Sequence, residues 1–114
     1  MALKDIQPFS RSDLFGGKGR VDIWNLLGRK EASPFSAVLW CTLEPGGSVG
    51  VHRQQEHPEI VLCISGQGQA KVGGKLLSLE PGALAYLPHG ESLALRNRGE
   101  EPLVYLIVKA KDSA

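Results

Sequence analysis

Two histidines and a glutamate lie within eight residues of one another, at His52, His57 and Glu59, with Gln54 between them. Side chains two apart on a strand share a face, so His52 pairs with Gln54 and His57 with Glu59. If both pairs turn inward, four nitrogen or oxygen donors converge on one cavity. Two imidazoles and a carboxylate can hold zinc, iron, nickel or manganese and leave positions open for substrate or oxygen. Pro58 biases His57 toward extended geometry, yet it also marks a corner where face alternation can fail.

Each of these residues also has a plainer reading. His52 reads equally as a lining histidine hydrogen-bonded to Gln54 or Glu59, and Gln54 as a pocket-lining hydrogen-bonder. Glu59 reads as an inward carboxylate paired with a protonated histidine, and His57 as a solvent-exposed loop position. Glu56 beside the corner is a solvated side chain unless it turns inward, where it or His57 would be placed to move a proton. His89 sits in a Pro-Gly corner and reads as an exposed turn residue. Arg96 and Arg98 read as a solvated outer face.

The elements that must position these residues are short. Fourteen glycines and seven prolines punctuate the chain, and no stretch carries a long 3.6-residue apolar period. Short apolar runs between turn residues predict an all-β barrel or sandwich. Strands are expected over 21–27, 35–43, 49–54, 59–65, 69–72, 75–79, 83–87, 92–97 and 103–108. Gly73 and Gly74 between two of them predict a tight hairpin. Residues 1–20 are polar and glycine-rich and read as an arm or edge strand, and 21–110 as one barrel domain.

At 114 residues with a net charge of +1 and no like-charge block, the chain is one domain without a nucleic-acid or membrane-binding patch. No run approaches the roughly 20 apolar residues of a spanning helix or forms a signal peptide, so a cytoplasmic location is expected. Cys41 and Cys63 lie inside apolar runs and read as buried thiols. The runs 60–64 and 103–108 are apolar on both faces, whereas an isolated small barrel buries only one. A second subunit, making a homodimer, or the N-terminal arm is expected to cover the other.

The spacing of these anchors resembles the cupin superfamily. Its first motif, G-x5-H-x-H-x4-E-x6-G, is matched by Gly46, His52, Gln54, Glu59 and Gly66. Its second, G-x5-P-x-G-x2-H-x3-N, is matched by Gly82, Pro88, Gly90, Leu93 and Asn97. The resemblance implies a small antiparallel β-barrel of two facing sheets, a jelly-roll-like double-stranded β-helix that is often dimeric. It also implies a divalent metal on the two motif-1 histidines, the glutamate and the motif-2 histidine. This chain has Gln54 and Leu93 at two of those four positions.

Two functional readings follow. In the first, the barrel binds a small, partly apolar molecule against Val61, Cys63, Leu93 and Leu95, with His52, Gln54 and Glu59 fixing its polar end. In the second, His52, Gln54, His57 and Glu59 hold a divalent metal for a dioxygenase, isomerase or decarboxylase reaction.

Overall fold

Turn chemistry sets where the strands stop. Gly73 (φ +56°) and Gly74 (φ +88°) both take the left-handed conformation that a two-residue hairpin demands. They join the strand Gly68–Val72 to Lys75–Leu79. The computed structural model describes residues 2–53 and 57–111. In chain order the strands are β1 (Phe9–Ser12), β2 (Arg20–Asn25), β3 (Phe35–Leu43), β4 (Ser48–Arg53), β5 (Glu59–Ser65), β6 (Gly68–Val72), β7 (Lys75–Leu79), β8 (Leu84–Leu87), β9 (Ser92–Asn97) and β10 (Leu103–Ala110).

They form a six-stranded sheet, β1-β2-β3-β10-β5-β8, and a four-stranded sheet, β4-β9-β6-β7. All of the pairings are antiparallel. The all-β antiparallel fold expected from the sequence is the fold observed. Alternation places Val21, Ile23, Cys41, Leu43, Val61, Cys63, Ala85, Leu87, Leu103 and Tyr105 on the inner face of the larger sheet. Val49, Ala70, Leu79, Leu93 and Leu95 meet them from the smaller one. Asn97 is buried at the seam, donating from Nδ2 to the Leu43 and Glu101 carbonyls at 3.0 and 2.8 Å. Cys41 and Cys63 are free, buried thiols. No helix among the described residues is long and apolar enough to cross a membrane.

The outer face of the six-stranded sheet is also apolar. Trp24, Trp40, Leu106, Leu62 and Leu84 lie in one cross-strand row. Val38, Val108, Ile60 and Tyr86 form the next. Leu84 and Tyr86 remain 54% and 60% exposed. Of residues 1–20, β1 extends the sheet edge beside β2.

The segment after β1 crosses to the smaller sheet. A 3-10 turn, Leu14–Gly16, is followed by a two-way backbone pairing of Lys18 with Ser48, at 3.0 and 2.7 Å. The approach is close enough to require glycine. A Cβ on Gly17 would lie 2.2 Å from the Ser48 carbonyl oxygen, and one on Gly50 would lie 2.0 Å from that of Phe15. Gly50→Ala is therefore expected to push the 14–17 turn off β4 and cost about 1–3 kcal/mol, the usual range for overpacking. Gly74→Ala meets only open space at its left-handed φ, so its cost is the conformational one of about 1–2 kcal/mol. Urea melts of both variants check this, and a Gly50→Ala protein as stable as wild type would mean that the turn does not rest on β4.

Candidate functional site

A cavity of about 360 Å³ opens between the sheets at one end of the sandwich. β10 sets its depth. Its inward residues run from Leu103 and Tyr105, 0% and 2% exposed, to half-buried Ile107 and Lys109 at the open end. Val21, Ile23, Leu39 and Cys41 continue this wall across β2 and β3. The facing wall is Val49, Leu93 and Leu95 from β4 and β9.

Glu59 begins β5 and is paired in register with Lys109. It is 4% exposed, and its Oε2 has no hydrogen-bond partner among the described residues. Burial raises its pKa above the ordinary value and the Lys109 charge opposes that rise. A buried acceptor left unpaired costs about 1–3 kcal/mol. Among the described residues Glu59 Oε2 is thus a buried oxygen without a hydrogen bond, facing the cavity.

His52 reaches the cavity through an irregularity in β4. Val49 and His52 are an odd number of residues apart, yet both line the cavity, because the register shifts between them. His52 faces Leu93 across the ladder. Its Nδ1–H donates to the Gly50 carbonyl at 3.2 Å, which leaves Nε2 of the neutral ring as an acceptor. The ring stacks on Phe15 at 4.1 Å and 14°. Burial is the main reason its pKa falls below the ordinary value, and the charge of Lys109 adds to the fall. His57 lines the same cavity, with Nδ1 2.9 Å from the Ser36 hydroxyl.

Deeper in, Cys41 and Tyr105 are register partners and hydrogen-bond to each other. Burial, with a contribution from Glu59, pushes the Cys41 thiol up to about 12. Burial also carries Tyr105 well above its ordinary value. Both stay protonated at neutral pH, so Cys41 is not a thiolate nucleophile.

Of the residues singled out from the sequence, His52, His57, Glu59, Leu93 and Leu95 line this one cavity. Gln54 and Glu56 lie outside the described residues. Val61 and Cys63, expected in the pocket wall, are instead core residues at 0% and 1% exposure. They share the inward face of Glu59 and pair in register with Ile107 and Tyr105 of β10, but they are closed into the hydrophobic core while Ile107 and Tyr105 line the cavity. His89, Arg96 and Arg98 are exposed. Lys109, Arg53, Tyr105 and Phe15 were not singled out, and Cys41 was read only as a buried thiol. Only Lys109 carried a readable signal, as the one cation in the inward phase of a strand that is otherwise apolar.

The metal expectation meets a geometric obstacle. Among the described residues, no group of three or more histidine, cysteine or acidic side chains is arranged to hold a metal ion. His52 commits Nδ1 to Gly50 and faces a leucine, while His57 commits Nδ1 to Ser36. The described donors line one cavity without converging on one point.

Comparison with known proteins places this geometry. The family model described as a cupin domain matches residues 39–109. A Thermotoga maritima protein named oxalate-binding protein is 34% identical over 106 residues, covering 91% of this chain and 87% of that one. The crystal structure of a predicted oxalate decarboxylase from Thermotoga maritima matches with a TM-score of 0.87 and 27% identity over 97% of both chains. A sugar phosphate isomerase of the cupin superfamily from Silicibacter pomeroyi matches at TM-score 0.76 and 21% identity, over 98% of this chain and 75% of that one. At that identity the likeness concerns the fold alone.

The raised pKa of Glu59 has a defined consequence for stability. The folded state holds this proton more tightly than the unfolded chain, so stability is full below the ordinary value of 4.5. It falls as pH rises from there toward the folded value. Glu59→Gln removes the ionisation and keeps the shape. Thermal melts from pH 4 to 8 are expected to show the variant gaining on wild type as pH rises, and a constant difference across that range would mean that Glu59 is not desolvated.

Proposed function

This chain belongs to the cupin family, and from that premise we propose that its cavity binds a small organic molecule with an oxygen-bearing end and an apolar body. The observation that carries the reading is the buried Glu59 Oε2, which has no hydrogen-bond partner among the described residues, in a cavity whose apolar walls include Val21, Ile23, Leu93 and Leu95. Pockets of about 300–1,000 Å³ with mostly apolar walls and a few convergent polar groups are the usual small-molecule site. The printed name of the Thermotoga maritima relative, an oxalate-binding protein, supports an oxygen-rich ligand group.

A second reading, a divalent-metal cupin enzyme on His52, Gln54, His57 and Glu59, is favoured by the presence of His52, His57 and Glu59 in one cavity. The described donors do not fit a metal, so we route no step through one. Elemental analysis of the untagged protein beside His52→Ala separates the readings. Binding without a metal predicts substoichiometric zinc, iron, nickel and manganese in both proteins, together with thermal stabilisation of the wild type by millimolar oxalate. A stoichiometric metal lost in His52→Ala would overturn the first reading in favour of the second.

We also propose that the apolar outer rows of the six-stranded sheet pack against a second copy of the chain. Two adjacent rows running from Trp24 to Leu84 and from Val38 to Tyr86 form a continuous face of a kind monomers seldom leave to water. Aromatic residues such as Trp24, Trp40 and Tyr86 are typical of buried interface centres. Sedimentation of the wild type is expected to give twice the 12.3 kDa chain mass, and Leu106→Glu at the centre of the first row is expected to give the monomer. A monomeric wild type at micromolar concentration would rule out the dimer.

A further inference from the structure

Lys109 is a cation placed where the cavity needs a reason for one. It stands in the inward phase of β10, between Ala37 of β3 and Glu59 of β5 in register, and it lines the cavity. Its charge bears on Cys41, His52 and Glu59 together, groups from three strands around one space. Glu59 Oε2 accepts no hydrogen bond from it or from any other described residue. An ammonium at the mouth of a mostly apolar cavity is favourable to an anion that enters beside it.

The size and polarity of the space narrow that anion. At about 30 Å³ per water, 360 Å³ holds roughly a dozen water-sized groups. Oxalate, a two-carbon dianion, would fill about half of it. Oxalate also needs cationic partners at both ends. Here Lys109 stands on the six-stranded sheet, whereas the other cation that lines the cavity among the described residues, Arg53 of β4, commits Nη1 to the Gly90 carbonyl at 3.2 Å. The wall opposite Lys109 is Val49, Leu93 and Leu95 with the His52 ring beside them.

We propose that Lys109 holds the carboxylate of a monocarboxylic acid whose apolar tail, about the size of a phenylethyl group, lies against Leu93, Leu95 and Ile23. The ammonium supplies the charge-assisted hydrogen bond to one carboxylate oxygen. This inference rests on the small-molecule reading above and names its ligand class.

Isothermal titration of sodium 3-phenylpropanoate, sodium oxalate and neutral 3-phenylpropan-1-ol into wild type, Lys109→Met, Lys109→Gln and Lys109→Arg tests it. The wild type is expected to bind phenylpropanoate at least tenfold more tightly than oxalate. Lys109→Met and Lys109→Gln are expected to lose at least tenfold toward phenylpropanoate while leaving the alcohol unchanged, and Lys109→Arg to keep most of the affinity. Equal phenylpropanoate affinity in wild type and in whichever of the Met and Gln variants folds would overturn the role of Lys109 and leave the small-molecule reading standing. Oxalate binding more tightly than phenylpropanoate would overturn the ligand class alone. A wild type that binds none of the three would take the small-molecule reading down with the inference.

Discussion

A β-sandwich with a mouth at one end must pass along a single strand from a dry core to a wet opening, and here β10 makes that passage. It lies between β3 and β5 at the centre of the larger sheet. Its inward residues change from Leu103 through Tyr105 and Ile107 to Lys109 within one strand. Every polar group in the cavity is set relative to that sequence of side chains. Cys41 and Tyr105 are neutral because they sit at its dry end. Glu59 is desolvated yet faces a cation because it pairs with the last inward residue. β10 is also the last strand in chain order, so the two sides of the larger sheet are joined through the C-terminal segment.

The other side of the mouth is held by backbone rather than by side chains. Asp13 and Phe15 take left-handed φ of 53° and 54°, a conformation that costs L-residues about 1–2 kcal/mol each. The Lys18–Ser48 pairing and the glycines at 17 and 50 supply the contact that offsets it. Asp13 contributes further, since its Oδ1 accepts from the Gly19 N–H at 2.9 Å. The result is an aromatic ring fixed against His52. The imidazole is therefore held from two directions, by the Gly50 carbonyl and by Phe15. Its remaining nitrogen has a defined tautomer, as a positioned hydrogen-bond acceptor needs.

The fold was legible because turn residues and alternation are local signals. The boundaries of β3, β5, β7 and β9 follow directly from Pro45 and Gly46, Gly66, the Gly73–Gly74 pair and Pro88 to Gly90. The cavity was less legible because it depends on which inward residues the opposite sheet covers. Val61, Cys63 and Glu59 share one face of one strand, and only the depth of β10 beside them separates core from pocket. His52 was placed by a regular two-residue period, whereas β4 is irregular at that point. Phe15 could not be found from sequence at all. Its contact with His52 depends on a crossing segment whose course is set by close backbone approach, and a string of residue types does not encode such distances.

The asymmetry between the two walls follows from one position. Leu93 stands on β9 directly opposite His52, where the resemblance implies a histidine. A histidine there would put a second imidazole on the smaller sheet, directly beside His52. A leucine makes that wall a hydrocarbon surface continuous with Leu95 and Val49, worth about 25 cal/mol for each Å² of apolar ligand surface it covers. Of the cavity's polar groups, Lys109 and Glu59 then stand on the larger sheet and His52 on β4 of the smaller one. A molecule entering this cavity gains most by turning its oxygens toward β5 and β10 and its carbon skeleton toward β9. Leu93 at this position thus supplies the apolar half of the proposed small-molecule site.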